Sequence, residues 1–207
     1  MNFKKQVPKE HYYKHYDTKE RWMSYWYQIH LVLETEQKEI LEVGIGNGFV
    51  SDYLKKLGLK VVTVDIDPKL NPDFLCSVTE LSEKFRENSF DCVLCGEVLE
   101  HLPYTYFEKA LKEMYKVTRS WIVLSLPYFG INLGFSFKIP IIGKRKLSFK
   151  IPFPKKHRFD GQHYWEIGKK GYPPKRIKEC ISEYFEIKKY FYPQENPYHL
   201  FFTLKKH

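Results

Sequence analysis

A chain of 207 residues with 43% hydrophobic content carries enough apolar mass for one folded core, and a formal charge of +9 excludes neither an anionic partner nor a plain lysine-rich surface. No apolar run reaches the roughly 18 residues a bilayer crossing needs, and Lys4, Lys5, Lys9 and Glu10 leave no signal-peptide core, so a cytoplasmic protein is expected. The four cysteines form no disulfide framework or closed zinc pattern: Cys76 and Cys180 are isolated, and Cys92 and Cys95, three apart in an apolar strand, face opposite ways and read as packing.

Residues 1–37 are rich in Tyr, Trp, His and charge and read as an N-terminal helical cap. From Thr18 to Leu33 the positions Trp22, Tyr25, Trp26, Ile29, Val32 and Leu33 recur at helical spacing, with Thr18 as the cap residue, which predicts a helix packed on a sheet or over a cleft. An apolar strand at residues 40–43 then runs into Gly44-Ile45-Gly46-Asn47-Gly48, a helical pattern through Phe49, Val50, Tyr53, Leu54 and Leu57 closed by Gly58, and a second strand ending in Asp65. Three glycines permit a tight strand-to-helix turn whose backbone comes close to a ligand. An acid about 20 residues beyond the first glycine is placed to hold ribose hydroxyls. A GxGxxG loop would need glycine at Phe49, and a GxxxxGK[ST] loop would need a lysine the turn lacks, so a ligand without pyrophosphate is expected.

GxGxG followed by that acid resembles motifs I and II of the class I methyltransferases of the type 11 kind, whose cofactor is S-adenosylmethionine. The resemblance continues in order to about residue 130: residues 89–95 look like the family's fourth strand, Glu97-Val98-Leu99-Glu100-His101-Leu102-Pro103 like the segment after it, and residues 121–127 like the fifth strand. It implies a Rossmann-like doubly wound α/β sheet, mostly parallel with an antiparallel final strand. It also implies cofactor contacts from Glu42, Gly44, Gly46, Gly48, Asp65, Ile66, Ser77, Cys95 and Glu97. Ser77 stands where many members carry an acid toward the adenine amino group.

Phe107, Leu111, Met114, Tyr115 and Val117 mark a helix between the fourth and fifth strands, with Pro103 near its start. Residues 128–161 form an insertion in which Phe135-Phe137-Ile139 and Leu147-Phe149-Ile151 alternate with period two on either side of Gly143-Lys144-Arg145-Lys146, predicting a hairpin or flap. Its lysines and arginines admit an anionic substrate, nucleic acid or a membrane surface, and a solvated basic surface is the favoured reading. The tail offers a helix near residues 174–184 and two strands near 185–192 and 199–205.

The acceptor side rests on Glu97, Glu100 and His101, whose i, i+3, i+4 spacing places them on one face of a helical turn at the carboxyl end of a strand. With His163 they form a candidate metal set, suited to magnesium or manganese through oxygen and to zinc or iron through imidazole. His101 and His163 are the candidate catalytic residues. Glu-x-x-Glu-His followed by a later His is similar to metal-dependent methyltransferases acting on the terminal 2′-hydroxyl of small RNAs, and the first half resembles ubiquinone-pathway O-methyltransferases. Ser125-Leu126-Pro127-Tyr128 replaces the Asn/Asp-Pro-Pro-Tyr of many amino-group methyltransferases and favours an oxygen acceptor. Tyr128, Tyr164 and Trp165 are candidates for an aromatic wall.

The whole reads as one domain over residues 1–207: a methyltransferase acting on a hydroxyl of a small molecule or glycan precursor. The alternatives are an RNA 2′-O-methyltransferase and a non-catalytic S-adenosylmethionine-binding module.

Overall fold

The computed structural model describes residues 7–14, 16, 18–140, 143–151 and 153–207. Residues 1–6, 15 and 17 of the N-terminal cap, and 141, 142 and 152 of the insertion, lie outside the described residues.

Two helices open the chain, α1 (Lys9–Lys14) and α2 (Lys19–Glu34). Thr18 caps α2, its side-chain oxygen accepting the Arg21 N–H at 3.3 Å. The parallel strands follow with their crossovers: β1 (Glu39–Val43), α3 (Phe49–Lys56), β2 (Lys60–Asp65), the short β3 (Phe74–Leu75), β4 (Phe90–Gly96), α4 (Phe107–Val117) and β5 (Thr118–Pro127). A hairpin of β6 (Ile131–Ile139) and β7 (Gly143–Ile151) interrupts the pattern, and α5 (Pro174–Ser182), β8 (Phe185–Phe191) and β9 (His199–Lys206) complete it.

The main sheet has seven strands in the order β3-β2-β1-β4-β5-β9-β8. The pairs from β3 to β5 are parallel, and β9 enters antiparallel between β5 and β8. This is the mostly parallel, doubly wound sheet that the sequence predicts, with its antiparallel final strand. Strand order reverses between β1 and β4, the topological switch point at which open α/β sheets bind ligands.

Alternation along the strands builds a core on each face. Ile40, Cys92, Leu94, Val123 and Phe201 pack with α2 and α3, while Leu41, Val43, Val93, Cys95 and Leu124 pack with α4 and α5. Cys92 and Cys95 thus sit in opposite layers, as two packing residues. On α4 the apolar stripe Phe107, Ala110, Leu111, Met114 and Val117 is buried throughout. On α2 the buried face is Tyr25, Ile29, Leu31 and Val32 with Ser24 and Gln28, whereas the expected Trp22, Trp26 and Leu33 are exposed. The aromatic count there overstates the buried stripe because Ser24 and Gln28 face the sheet, Gln28 fitting where Gly96 has no Cβ.

The hairpin pairs Lys138 with Lys144 and Ile139 with Gly143, so the segment Gly143 to Lys146 is strand and not the expected connection. Pro140, which has no N–H to give to a ladder, ends β6 there. From the hairpin the chain returns over the carboxyl end of the sheet and is pinned in place. The N–H of Ile167 donates to the Pro127 carbonyl, that of Tyr164 to the Glu100 carbonyl, and the fully buried Trp165 donates its indole N–H to Leu102 at 3.1 Å. Among the described residues no helix is long and apolar enough to cross a membrane.

Candidate active site

A cleft of about 1300 Å³, counting the part open to solvent, lies at the carboxyl ends of β1, β2 and β4. Of the residues singled out by the sequence, Glu42, Gly44, Gly46, Asp65, Ile66, Ser77, Glu97, Glu100, His101 and His163 line it. Gly48 and Cys95 do not: Gly48 starts α3 with φ +78, and Cys95 points into the core layer beneath. A strand alternates its side chains, so the residue before Gly96 faces helix packing while the backbone beyond it reaches the cleft.

At one end of the cleft, Gly44 holds φ +81, and a Cβ on it would lie 2.4 Å from Val98 Cγ2. Only glycine lets the β1 turn and the β4 turn meet so closely. Asp65 is locked against this loop: one carboxylate oxygen accepts the Ile45 N–H at 3.1 Å and the other the Asp67 N–H at 2.9 Å. Burial raises its carboxyl, against the pull of these backbone donors. Ser77 is committed to capping a 3-10 turn, pairing with the Thr79 hydroxyl at 2.9 Å and accepting the Thr79 N–H.

Glu42, on the floor, is buried with one carboxyl oxygen accepting no hydrogen bond, and burial pushes it up to about 8. Above it, α2 presents Arg21, Tyr25 and Gln28 to the cleft. Gln28 lies so near Gly96 that a Cβ there would be 2.4 Å from its amide nitrogen. The Arg21 guanidinium stacks over the Tyr16 ring at 4.1 Å. An acid and a cation near the loop, with an acid at the end of β2, fit an amino-acid-bearing nucleoside such as S-adenosylmethionine. The orphaned carboxyl of Glu42 suits an ammonium, and Asp65 suits vicinal hydroxyls.

The far end holds the acidic and imidazole groups, arranged differently from the helical turn expected. Glu97 has left-handed backbone (φ 55), Val98 is non-helical, and only Leu99–His101 forms a 3-10 turn. Glu97 therefore swings away and meets His199 Nε2 at 3.3 Å, and His199 Nδ1 lies 2.7 Å from the Ser24 hydroxyl. That removes Glu97 from the metal set: among the described residues the groups whose ligand atoms converge are Glu100, His101 and His163, and Asp160, His163 and Glu166.

Glu100 is fully buried and neither carboxyl oxygen accepts a hydrogen bond. Desolvation and then the nearby Glu97 charge raise its carboxyl, and desolvation raises Glu97 as well. His101 Nε2 lies 3.9 Å and His163 Nε2 4.0 Å from the same Glu100 oxygen. Each imidazole is aimed by its other nitrogen: His101 Nδ1 is 3.0 Å from the Gln162 carbonyl and His163 Nδ1 3.3 Å from a Glu166 oxygen. Burial brings His101 down to about 4, reinforced by His163. For His163 burial acts the same way, but the Glu166 hydrogen bond and the Glu100 and Glu97 charges outweigh it and hold the imidazole above its usual range.

The expected aromatic wall is elsewhere. Trp165 and Tyr128 are buried in the core and Tyr164 stacks on Phe159 at 4.5 Å, because these residues pin the returning chain; the cleft's aromatic surfaces are Tyr12, Tyr16, Tyr25 and Tyr198. Arg21, Gln28 and His199 are cleft residues that sequence reasoning passed over. Arg21, Tyr25 and Gln28 at i, i+4 and i+7 formed a legible polar stripe on α2, whereas nothing in the sequence around His199 announces its partner 102 positions earlier.

Residues 41–121 match a family model described as a methyltransferase domain. The chain is 31% identical to the ubiquinone biosynthesis O-methyltransferase of Xanthomonas axonopodis pv. citri (strain 306), over 34% of this chain and 35% of that protein, so the match spans about a third of the relative's length. Among solved structures, it is similar to the 1,6-didemethyltoxoflavin-N1-methyltransferase of Burkholderia thailandensis with bound S-adenosylhomocysteine (TM-score 0.63, 14% identity, 95% of this chain and 84% of that one). The N-methyltransferase NodS of Bradyrhizobium japonicum WM9, in complex with S-adenosylhomocysteine, superposes with a TM-score of 0.59 at 11% identity over 92% and 89% of the two chains. Residues 41–121, with the glycine loop and with Asp65 at the switch point, thus match a methyltransferase domain, set in a fold similar to that of solved S-adenosylhomocysteine-bound methyltransferases.

Proposed function

We propose that this chain transfers the methyl group of S-adenosylmethionine to a hydroxyl of a small molecule or glycan precursor, with Glu100, His101 and His163 serving the acceptor. The observation that carries the reading is the continuity of one cleft, from Asp65 and Glu42 at the cofactor end to the buried Glu100 and its two imidazoles at the other. Bound S-adenosylmethionine supplies an electrophilic methyl on a sulfonium. The protein's share is to hold an acceptor in line and take its proton. Asp65 receives ribose hydroxyls, Ile66 lies against the base, and Glu42 and Arg21 receive the ammonium and carboxylate of the methionyl part.

His163 is the better proton acceptor, since its neighbours hold it above the usual imidazole range, while His101 stays neutral and orients the acceptor oxygen. An oxygen acceptor fits the imidazole-lined end of the cleft, and the O-methyltransferase named in the comparison adds support. Calorimetry with S-adenosylmethionine is the direct test: micromolar binding by the parent and at least about tenfold weaker binding by Asp65→Ala support it. Absence of binding by the parent rejects it.

One observation favours a second component at the same end. A fully buried carboxyl without hydrogen bonds, facing two imidazoles whose other nitrogens rest on acceptors, has the donor set and the outer hydrogen bonds of a divalent-cation site. In this alternative Glu100, His101 and His163 would hold the ion, one carboxylate and two imidazoles suiting manganese, iron or zinc better than magnesium, and the ion would lower the acceptor hydroxyl's pKa in place of proton transfer to His163. Manganese titration followed by electron paramagnetic resonance, on the parent and on Glu100→Gln, tests this; equal signals from the two sink it.

A further inference from the structure

The β6–β7 hairpin is folded the wrong way round for a hairpin that serves a core. Its small and polar side rests on the domain. Within the hairpin Ser148 donates to Asn132 at 2.8 Å; toward the domain, Tyr192 donates to the Ser148 carbonyl and the Lys150 ammonium donates to the carbonyls of Tyr128 and Pro197. Gln194 donates to the Leu147 carbonyl at 2.6 Å.

Its apolar side faces water. In the ladder Ile131 stands opposite Ile151, Leu133 opposite Phe149, and Phe135 opposite Leu147, with Phe137 next along the same face. All seven are between 44% and 58% exposed, and Phe153 continues the patch. Opposed pairs on one face of an antiparallel ladder touch, so these residues make one contiguous surface. A monomer rarely leaves an apolar patch of more than a few hundred Å² to water without a use for it.

Charge identifies what the surface meets. From Tyr128 to Phe159 the chain has eight lysines and arginines and no aspartate or glutamate. Lys138, Lys155, Lys156 and Arg158, all exposed, fringe the patch in sequence. Two such faces on copies of a +9 chain repel each other, so self-association is disfavoured. Four of the seven exposed residues are aliphatic, which partition into acyl chains and stack poorly on bases, so lipid fits better than nucleic acid.

We infer that the β6–β7 hairpin is a peripheral membrane anchor that lays its Ile131–Phe137 and Leu147–Ile151 face into the headgroup boundary of an anionic bilayer. The lysines and arginines around it contact lipid phosphates. Lys150, at the hairpin's base, donates to the carbonyl of Pro197, next to the cleft residue Tyr198, so the anchor is tied to the lining of the cleft.

Co-sedimentation of the full chain with vesicles tests the inference. The parent is expected to bind vesicles of phosphatidylcholine with roughly a third phosphatidylglycerol, and to bind pure phosphatidylcholine at least about tenfold more weakly. Phe135→Ser/Phe149→Ser and, separately, Lys155→Glu/Lys156→Glu are each expected to lose at least about tenfold on the anionic vesicles, with thermal midpoints near the parent's because all four residues are exposed. The inference is overturned by no vesicle binding at low salt, or by binding that the Phe135/Phe149 variant retains. It is equally overturned if that variant instead dissociates a parent dimer, or abolishes RNA binding by a parent that ignores vesicles.

Discussion

Glu42 and Glu100 are carboxyls kept from water with oxygens that accept no hydrogen bond, and such groups carry a readable pH signature. Glu42 titrates near 4.5 when unfolded and about 8 when folded, so its contribution to stability is fully present below pH 4.5 and is lost as pH rises through 8. Glu97 and Glu100, raised by the same burial, act in the same direction. Chemical denaturation at pH 5 and pH 8 should show the parent losing stability across that interval. Glu42→Gln should lose less, by up to about 3–4 kcal/mol. At the acceptor end, Glu166→Gln removes the partner that holds His163 up, so the His163 midpoint, followed by NMR, should fall. The acid limb of the rate profile should move to lower pH with it.

Among elements, α2 and the hairpin respond to opposite kinds of change. Thr18 gives α2 its start, and Thr18→Ala should cost about 1 kcal/mol in a denaturant titration, because the Arg21 N–H then has only solvent to bond. The hairpin forms its own two-stranded sheet and keeps its apolar face out of the core. Replacing residues 131–151 by a short glycine-serine linker should therefore move the thermal midpoint by only a few degrees and leave cofactor affinity unchanged, as scanning calorimetry and titration would read. Periodicity made both elements legible: helical spacing marked α2 and alternation marked β6 and β7. It misjudged which residues were inside, since a one-dimensional pattern reports an apolar stripe but not which side of it another element covers.

Across the whole molecule, the cleft collects the N-terminal helices, the glycine loop, the β4 turn and the chain returning from the hairpin. A ligand binding there ties together segments far apart in sequence. Saturating S-adenosylmethionine at a hundredfold excess over its dissociation constant should stabilise the parent by about 2.7 kcal/mol, seen as a rise in thermal midpoint, and Asp65→Ala, binding at least about tenfold more weakly, by no more than about 1.4 kcal/mol at the same concentration.

By itself the sequence determined the run of strands and helices through β5 and the glycine loop with Asp65, because each is written in local periodicity and in residues a few positions apart; the doubly wound sheet followed from what the family resemblance implied. Tertiary structure alone decided that Glu97 leaves the set of Glu100, His101 and His163 for His199 and Ser24, and that the hairpin turns its apolar side outward. A positive φ at one residue and a chain reversal pinned by Trp165 and Ile167 set those pairings, and neither leaves a period in the sequence.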